Sequence, residues 1–218
     1  MEGQVSIGSE SLGANSAGSA ILGSDQTLTT QNGKAEILLT PGVFARIGDN
    51  SSIEMVSPGL THTQISVEKG EAIVEVAEIH SENNLLVNED GATIQLQKTG
   101  LYDFDAEHSQ FRVFEGQAMV QTDDKRAKVK GGHELALNVP VEKSQKFDKK
   151  SFEADDLYRW SSLRSAYLAE ANVDAAPGYL STAWDGWYGG GWIGAGWYWD
   201  PWFSCYTFIP GDGIFYSP

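Results

Sequence analysis

Apolar and polar positions alternate in short runs through the first two thirds of the chain. Glu36-Ile37-Leu38-Leu39, Ser52-Ile53-Glu54-Met55-Val56, Thr93-Ile94-Gln95-Leu96 and Glu134-Leu135-Ala136-Leu137 are such runs, separated by Gly, Asn and Asp turns. Turn signals recur about every ten residues, which predicts a sandwich or a closed, barrel-like β domain over residues 3–141. Within it, Ile65–Val76 aligns with Phe111–Thr122, each copy being a strand, a charged residue and a glycine, then a strand. The repeat predicts one hairpin or corner used twice; two copies are too few to indicate a solenoid.

The period then changes. Leu157, Trp160, Leu163, Tyr167, Leu168 and Ala171 recur at intervals of three and four, predicting an amphipathic helix over 152–172. Asp155 and Asp156 fall in its first turn, where carboxylates complement the helix dipole, and Asn172 followed by Pro177 predicts its end. The stripe is expected to pack on the chain's own β domain and to launch the segment that follows.

That segment, 178–218, is rich in glycine and aromatic residues. The last forty residues hold six of the seven tryptophans, fourteen aromatic residues in all, and no lysine or arginine. An exposed patch of that kind attracts partners or aggregates, so the rings need a surface to lie against. Trp184, Trp187, Tyr188, Trp192, Trp197, Tyr198, Trp199, Trp202, Phe203 and Tyr206 are the candidate contact residues. The glycines between them oppose a regular helix and predict an irregular tail. Its partner surface is either this chain's own β domain or a neighbouring subunit, and the sequence leaves both open.

The formal net charge of -15 argues against nucleic acid, whose binding needs basic patches. It also disfavours docking on anionic lipid. Ten of the fifteen basic residues lie between Lys125 and Arg164, read as a solvated basic face. Cys205, the single cysteine, excludes an intramolecular disulfide and is expected to be buried as a small hydrophobe. No run of 18 apolar residues occurs, so no transmembrane helix is expected, and no signal peptide is expected within the residues given.

No catalytic constellation emerges. His62, His80, His108 and His133 are scattered without metal-ligand spacing. Glu78, His80 and Glu82 would share one strand face, read as a solvated edge. Asp103 and Asp105 alternate around Phe104, which predicts Phe104 in the core and both carboxylates in water. Asp123-Asp124-Lys125 reads as a hairpin turn, and Asp200 and Asp212 as turn formers beside proline and glycine. Phosphate loops, nucleophile elbows and HExxH are missing, so neither catalytic residues, a metal nor a cofactor is expected.

The stretch Gly33–Ser51, with Glu68-Lys69-Gly70-Glu71-Ala72-Ile73-Val74-Glu75-Val76 and Val113-Phe114-Glu115-Gly116-Gln117-Ala118, resembles the FecR domain family. The resemblance covers about residues 3–140. It implies a jelly-roll-like β-sandwich, so the fold expected is mainly β, followed by one helix and the aromatic tail. It also implies an extracytoplasmic location, periplasmic or at the cell surface, behind a removed signal peptide. Best-known members relay a signal to a sigma factor. A membrane helix and a sigma-binding segment are not expected here, so relay by this chain alone is not expected either.

The function expected first is therefore a non-enzymatic interaction or assembly protein. Its partner would be a second copy or another extracytoplasmic protein. Signal sensing within a multi-protein relay is the second reading. A glycan-binding module is the third, with the tail rings stacking on a polysaccharide.

Overall fold

The computed structural model describes residues 1–122, 125–138, 143–184, 196–200 and 205–209, with side chains described up to residue 171 apart from Ala14. It divides into two units, Met1–Arg159 and Trp160–Pro218.

The first unit is a single hydrogen-bonded ladder of strands. In chain order these are β1 (Glu2–Ile7), β2 (Glu10–Leu12), β3 (Gln26–Thr40), β4 (Val43–Ile47) and β5 (Ser52–Pro58). β6 (His62–Lys69), β7 (Glu71–Val76), β8 (Asn84–Glu89), β9 (Ala92–Leu96) and β10 (Gly100–Asp105) follow. β11 (Gln110–Glu115), β12 (Gln117–Gln121), β13 (Arg126–Lys130), β14 (His133–Ala136) and β15 (Gln145–Lys146) complete it. Their spatial order is β13-β12-β9-β8-β6-β5-β3-β4-β7-β10-β11-β14-β15, with β1 pairing β2 and β3. All pairs are antiparallel except β6 with β8.

The long strand β3 joins two halves of this ladder. Gln26–Thr29 pair with β5, whereas Ala35–Thr40 pair with β4. One core takes alternate residues from both halves: Leu28, Ile53, Ile65, Val87 and Ile94 from one, Ala45, Val74, Phe104, Phe111 and Val113 from the other. Strand side chains alternate between faces, so each half turns one face to this core. Among the described residues the fold is mainly β with one α-helix, as the alternation and the later three-and-four period predict.

The internal repeat is a corner. Through Gly70, β6 passes into β7, and through Gly116, β11 passes into β12; each step crosses from one half of the ladder to the other. Both glycines have positive φ, +72° and +100°. A Cβ on Gly70 would stand 2.2 Å from Ser51 Oγ, and one on Gly116 would stand 2.3 Å from Tyr102 Oη. Only glycine therefore fits these corners without movement of a neighbour.

The helix, α1, spans Asp156–Trp184 and so runs past the expected stop at 172. Asp155 caps it, its Oδ1 accepting from the Tyr158 backbone N–H at 2.7 Å. Pro177 lies inside it. Proline costs a helix about 3 kcal/mol, and helix formers such as Leu168, Ala169, Glu170, Ala171, Ala175 and Ala176 surround it. Asn172 followed by Pro177 does not stop the helix. The buried stripe is also rotated from the expected one: Leu157, Trp160, Leu168 and Ala171 are buried, but Leu163 is 46 % exposed and Arg164 is buried instead. Positions 157, 160, 164, 168 and 171 keep the three-and-four spacing, so the correction is one of phase.

In the second unit, the tail is not wholly irregular. β16 (Gly196–Asp200) pairs antiparallel with β17 (Cys205–Ile209), placing Trp197 opposite Phe208 and Trp199 opposite Tyr206. Aromatic residues, Thr and Ile favour extended backbone, which outweighs the neighbouring glycines here.

Candidate functional site

Two surfaces carry most of the unusual chemistry. The first lies on the face of β7, β10, β11 and β14 turned away from the core. Register places Arg112 opposite Asp103 on one side and Glu134 on the other, and Glu71 opposite Asp105. The Arg112 guanidinium reaches Asp103 Oδ2 from Nη1 at 2.7 Å, Asp105 Oδ2 from Nη2 at 3.4 Å, and Glu134 Oε2 from Nε at 3.4 Å. Its carbon lies 4.9 Å from the centre of the Phe152 ring. Phe114, Phe147 and Phe152 meet edge to face beside it, with Tyr158 tilted on Phe114. The start of the helix and the turn before it thus cover the charges.

This burial corrects the expectation for Asp103. Phe104 is in the core as predicted, but Asp103 is only 1 % exposed rather than in water. The sequence around it gives no sign of the cover, which comes from residues some fifty positions later. Burial, more than the opposing Arg112 charge, pushes the Asp103 carboxyl above its ordinary range. Glu71 is also pushed up, first by burial and then by the charges of Asp103 and Asp155. Asp103 Oδ1 has no hydrogen-bond donor among the described residues. Glu71 interacts with Asp103 through its side chain, which adds to the upward push on the Glu71 carboxyl.

Glu89 is a further acid that sequence reading missed. It ends β8, whose buried positions are Leu85, Val87 and Glu89, so it continues the core-facing row. The same parity is visible in the sequence. Both carboxyl oxygens lack partners among the described residues, and burial, with Asp103 and Asp105 adding, pushes the group up to about 9. At neutral pH it is an uncharged acid. Arg112, through Asp103 and Glu134, links three neighbouring strands, and burial keeps a substrate from reaching Asp103.

A second charged row, Glu36–Arg46–Glu75, crosses β3, β4 and β7, with Arg46 Nε to Glu36 Oε2 at 2.7 Å and Nη1 to Glu75 Oε2 at 2.5 Å. The histidines stay apart. His62 meets Asn84 at 3.0 Å, His80 meets Glu78 at 3.0 Å, His108 meets Asp105 at 2.9 Å and His133 meets the Gly131 carbonyl at 3.2 Å. Glu78, His80 and Glu82 lie in the loop between β7 and β8 and not on a strand. There Asn83 Oδ1 accepts from the His80 backbone N–H at 2.8 Å, closing a turn that breaks the expected alternation. No group of three metal-ligating side chains occurs among the described residues.

The other surface is the outer face of β6, β8, β9, β12 and β13. Amide side chains link its strands: Gln64 to Asn88 at 3.2 Å, Gln95 to Asn84 at 3.1 Å and Gln117 to Gln97 at 2.9 Å. At its rim, Arg126 Nε donates to Gln121 Oε1 at 3.1 Å.

Of the tail candidates, Trp184 is the last helical residue, Trp197, Tyr198 and Trp199 lie in β16, and Tyr206 lies in β17. Trp187, Tyr188, Trp192, Trp202 and Phe203 lie outside the described residues, as do Asp123, Asp124 and Asp212. Asp200 is the last residue of β16 and Cys205 the first of β17.

A family model described as FecR protein matches residues 25–134, just over half of the chain. The chain belongs to the FecR family. The FecR match starts just before β3 and ends in β14, so it contains both glycine corners and the joined halves, while β1, β2 and the helix lie outside it. Among solved structures, two crystal structures of a candidate anti-sigma factor from Parabacteroides distasonis ATCC 8503 are similar to this FecR chain. They align at 12 % and 11 % identity, each with a TM-score of 0.49 and over 59 % of this chain. The chain spans 62 % and 63 % of their lengths. None of the curated proteins matches it.

Proposed function

We propose that this chain is the recognition component of a signal-sensing relay that acts outside the cytoplasm through protein contacts. The observation carrying this reading is the FecR match, which covers the two-half β scaffold and its corners. The scaffold's buried ion pairs link neighbouring strands, which suits a rigid platform for a partner. No helix among the described residues is long and apolar enough to cross a membrane.

Deleting the gene and measuring transcription from sigma-dependent promoters tests the reading. At least one promoter changes its response and recovers on complementation; if every promoter is unaffected, the relay reading is wrong. Fractionation of an epitope-tagged chain tests location separately.

A second reading keeps the tail as the contact surface. It is favoured by fourteen aromatic residues in forty, without one lysine or arginine. Removing residues 185–218 and measuring mass in solution and partner binding tests it. Unchanged assembly and unchanged binding would refute a docking role.

A further inference from the structure

β13 ends the ladder, and among the described residues no strand pairs with its far side. Its sequence is Arg126-Ala127-Lys128-Val129-Lys130. Val129 belongs to the core and Ala127 packs against it, while Arg126, Lys128 and Lys130 are exposed on the opposite face.

The hydrogen bonds fix which backbone groups are open. Thr122 N donates to the Lys125 carbonyl at 3.0 Å, and Gly131 N donates to the Gly116 carbonyl at 3.1 Å. The register between them is continuous, with Gln121 opposite Arg126 and Gln117 opposite Lys130. In an antiparallel ladder, alternate residues point their N–H and C=O to the same side. Lys125, Ala127, Val129 and Gly131 therefore face β12. The open N–H and C=O groups belong to Arg126, Lys128 and Lys130, the three residues with basic side chains.

Charge selects the occupant. Lysines on an edge strand commonly block pairing with like strands, and here they repel the same edge of a second copy. The row beside them, Gln117, Met119 and Gln121, is uncharged. The whole chain carries a net charge of -15, so this basic edge is an exception on an acidic molecule. A strand with carboxylates opposite Arg126, Lys128 and Lys130 would gain cross-strand charge pairs and backbone hydrogen bonds together. Its intervening residues would fall beside Ala127 and Val129 and extend the apolar rim.

We propose that the β13 edge binds an extended segment of a partner protein, added antiparallel, with acidic residues at alternate positions and apolar residues between them. This rests on reading the chain as a protein-recognition module and names the chemistry of one contact. Binding between purified components stands or falls without any transcriptional readout, so its failure is separable from failure of the relay reading.

Peptides of about seven residues, long enough to cover the strand, provide the probe. One alternates Glu and Val, one alternates Lys and Val, one alternates Ser and Val, and one is the Glu/Val peptide N-methylated at alternate backbone nitrogens. Fluorescence anisotropy with the full chain reads binding. The Glu/Val peptide binds, the Lys/Val peptide does not, and the Ser/Val peptide binds more weakly. Charge reversal at Lys128→Glu with Lys130→Glu weakens Glu/Val binding at least about tenfold. N-methylation aimed at the open ladder groups abolishes it. Absence of Glu/Val binding overturns the proposal. So does equal binding by the N-methylated peptide, which would mean charge attraction without strand addition.

Discussion

Glu89→Gln should make the protein more stable, and increasingly so as pH rises. The native carboxyl is 1 % exposed, and burial pushes it up to about 9 from an ordinary value of 4.5. Above pH 4.5 the unfolded chain releases this proton while the folded chain keeps it. The unfolded state then binds fewer protons, so stability falls as pH rises, up to the folded value near 9. Each pH unit is worth about 1.4 kcal/mol. The loss reaches ~3 kcal/mol at pH 7 and ~6 kcal/mol at pH 9, the second figure an upper bound. The glutamine amide is left as unpartnered as the neutral acid, so the variant should match the parent near pH 5 and gain on it above. Urea unfolding at intervals from pH 5 to pH 9, followed by circular dichroism, gives the two curves. Parent and variant curves that stay parallel would refute the placement of a neutral Glu89 in the core.

Other outcomes follow from the same geometry. Arg112→Met removes the partner of buried Asp103 and should cost roughly 3–5 kcal/mol at pH 8. The cost should shrink toward pH 5, where Asp103 protonates; a pH-independent loss would point to packing alone. Gly70→Ala forces a Cβ within 2.2 Å of Ser51 Oγ at positive φ and should lower stability by roughly 2–4 kcal/mol in the same unfolding assay. Gly91→Ala, also at positive φ but with open space around its Cβ, is the control and should cost less.

Much of the scaffold is legible in the sequence because its physics is local. Alternation sets the strands, and the Gly70 and Gly116 repeat marks the corners because only glycine fits there. What escaped is set by residues distant in sequence. Asp103 reads as a solvated carboxylate until Phe152 and Tyr158 close over the same face. Leu163 was one position off the buried stripe, since Leu and Arg164 both fit an amphipathic helix. Glu89 was within reach: its parity with Leu85 and Val87 points inward, against the habit of placing Glu in water. The tail hairpin shows the opposite error, where glycine content outweighed the β preference of Trp197-Tyr198-Trp199.

In-cell photo-crosslinking tests the central claim most directly. A photoreactive residue is placed at exposed positions across the FecR-matched β scaffold of the full chain, and adducts are identified by mass spectrometry. The account predicts a reproducible, position-dependent adduct to a sigma regulator or to a receptor coupled to one. Adducts confined to copies of the chain itself, with none to such a protein, would contradict it.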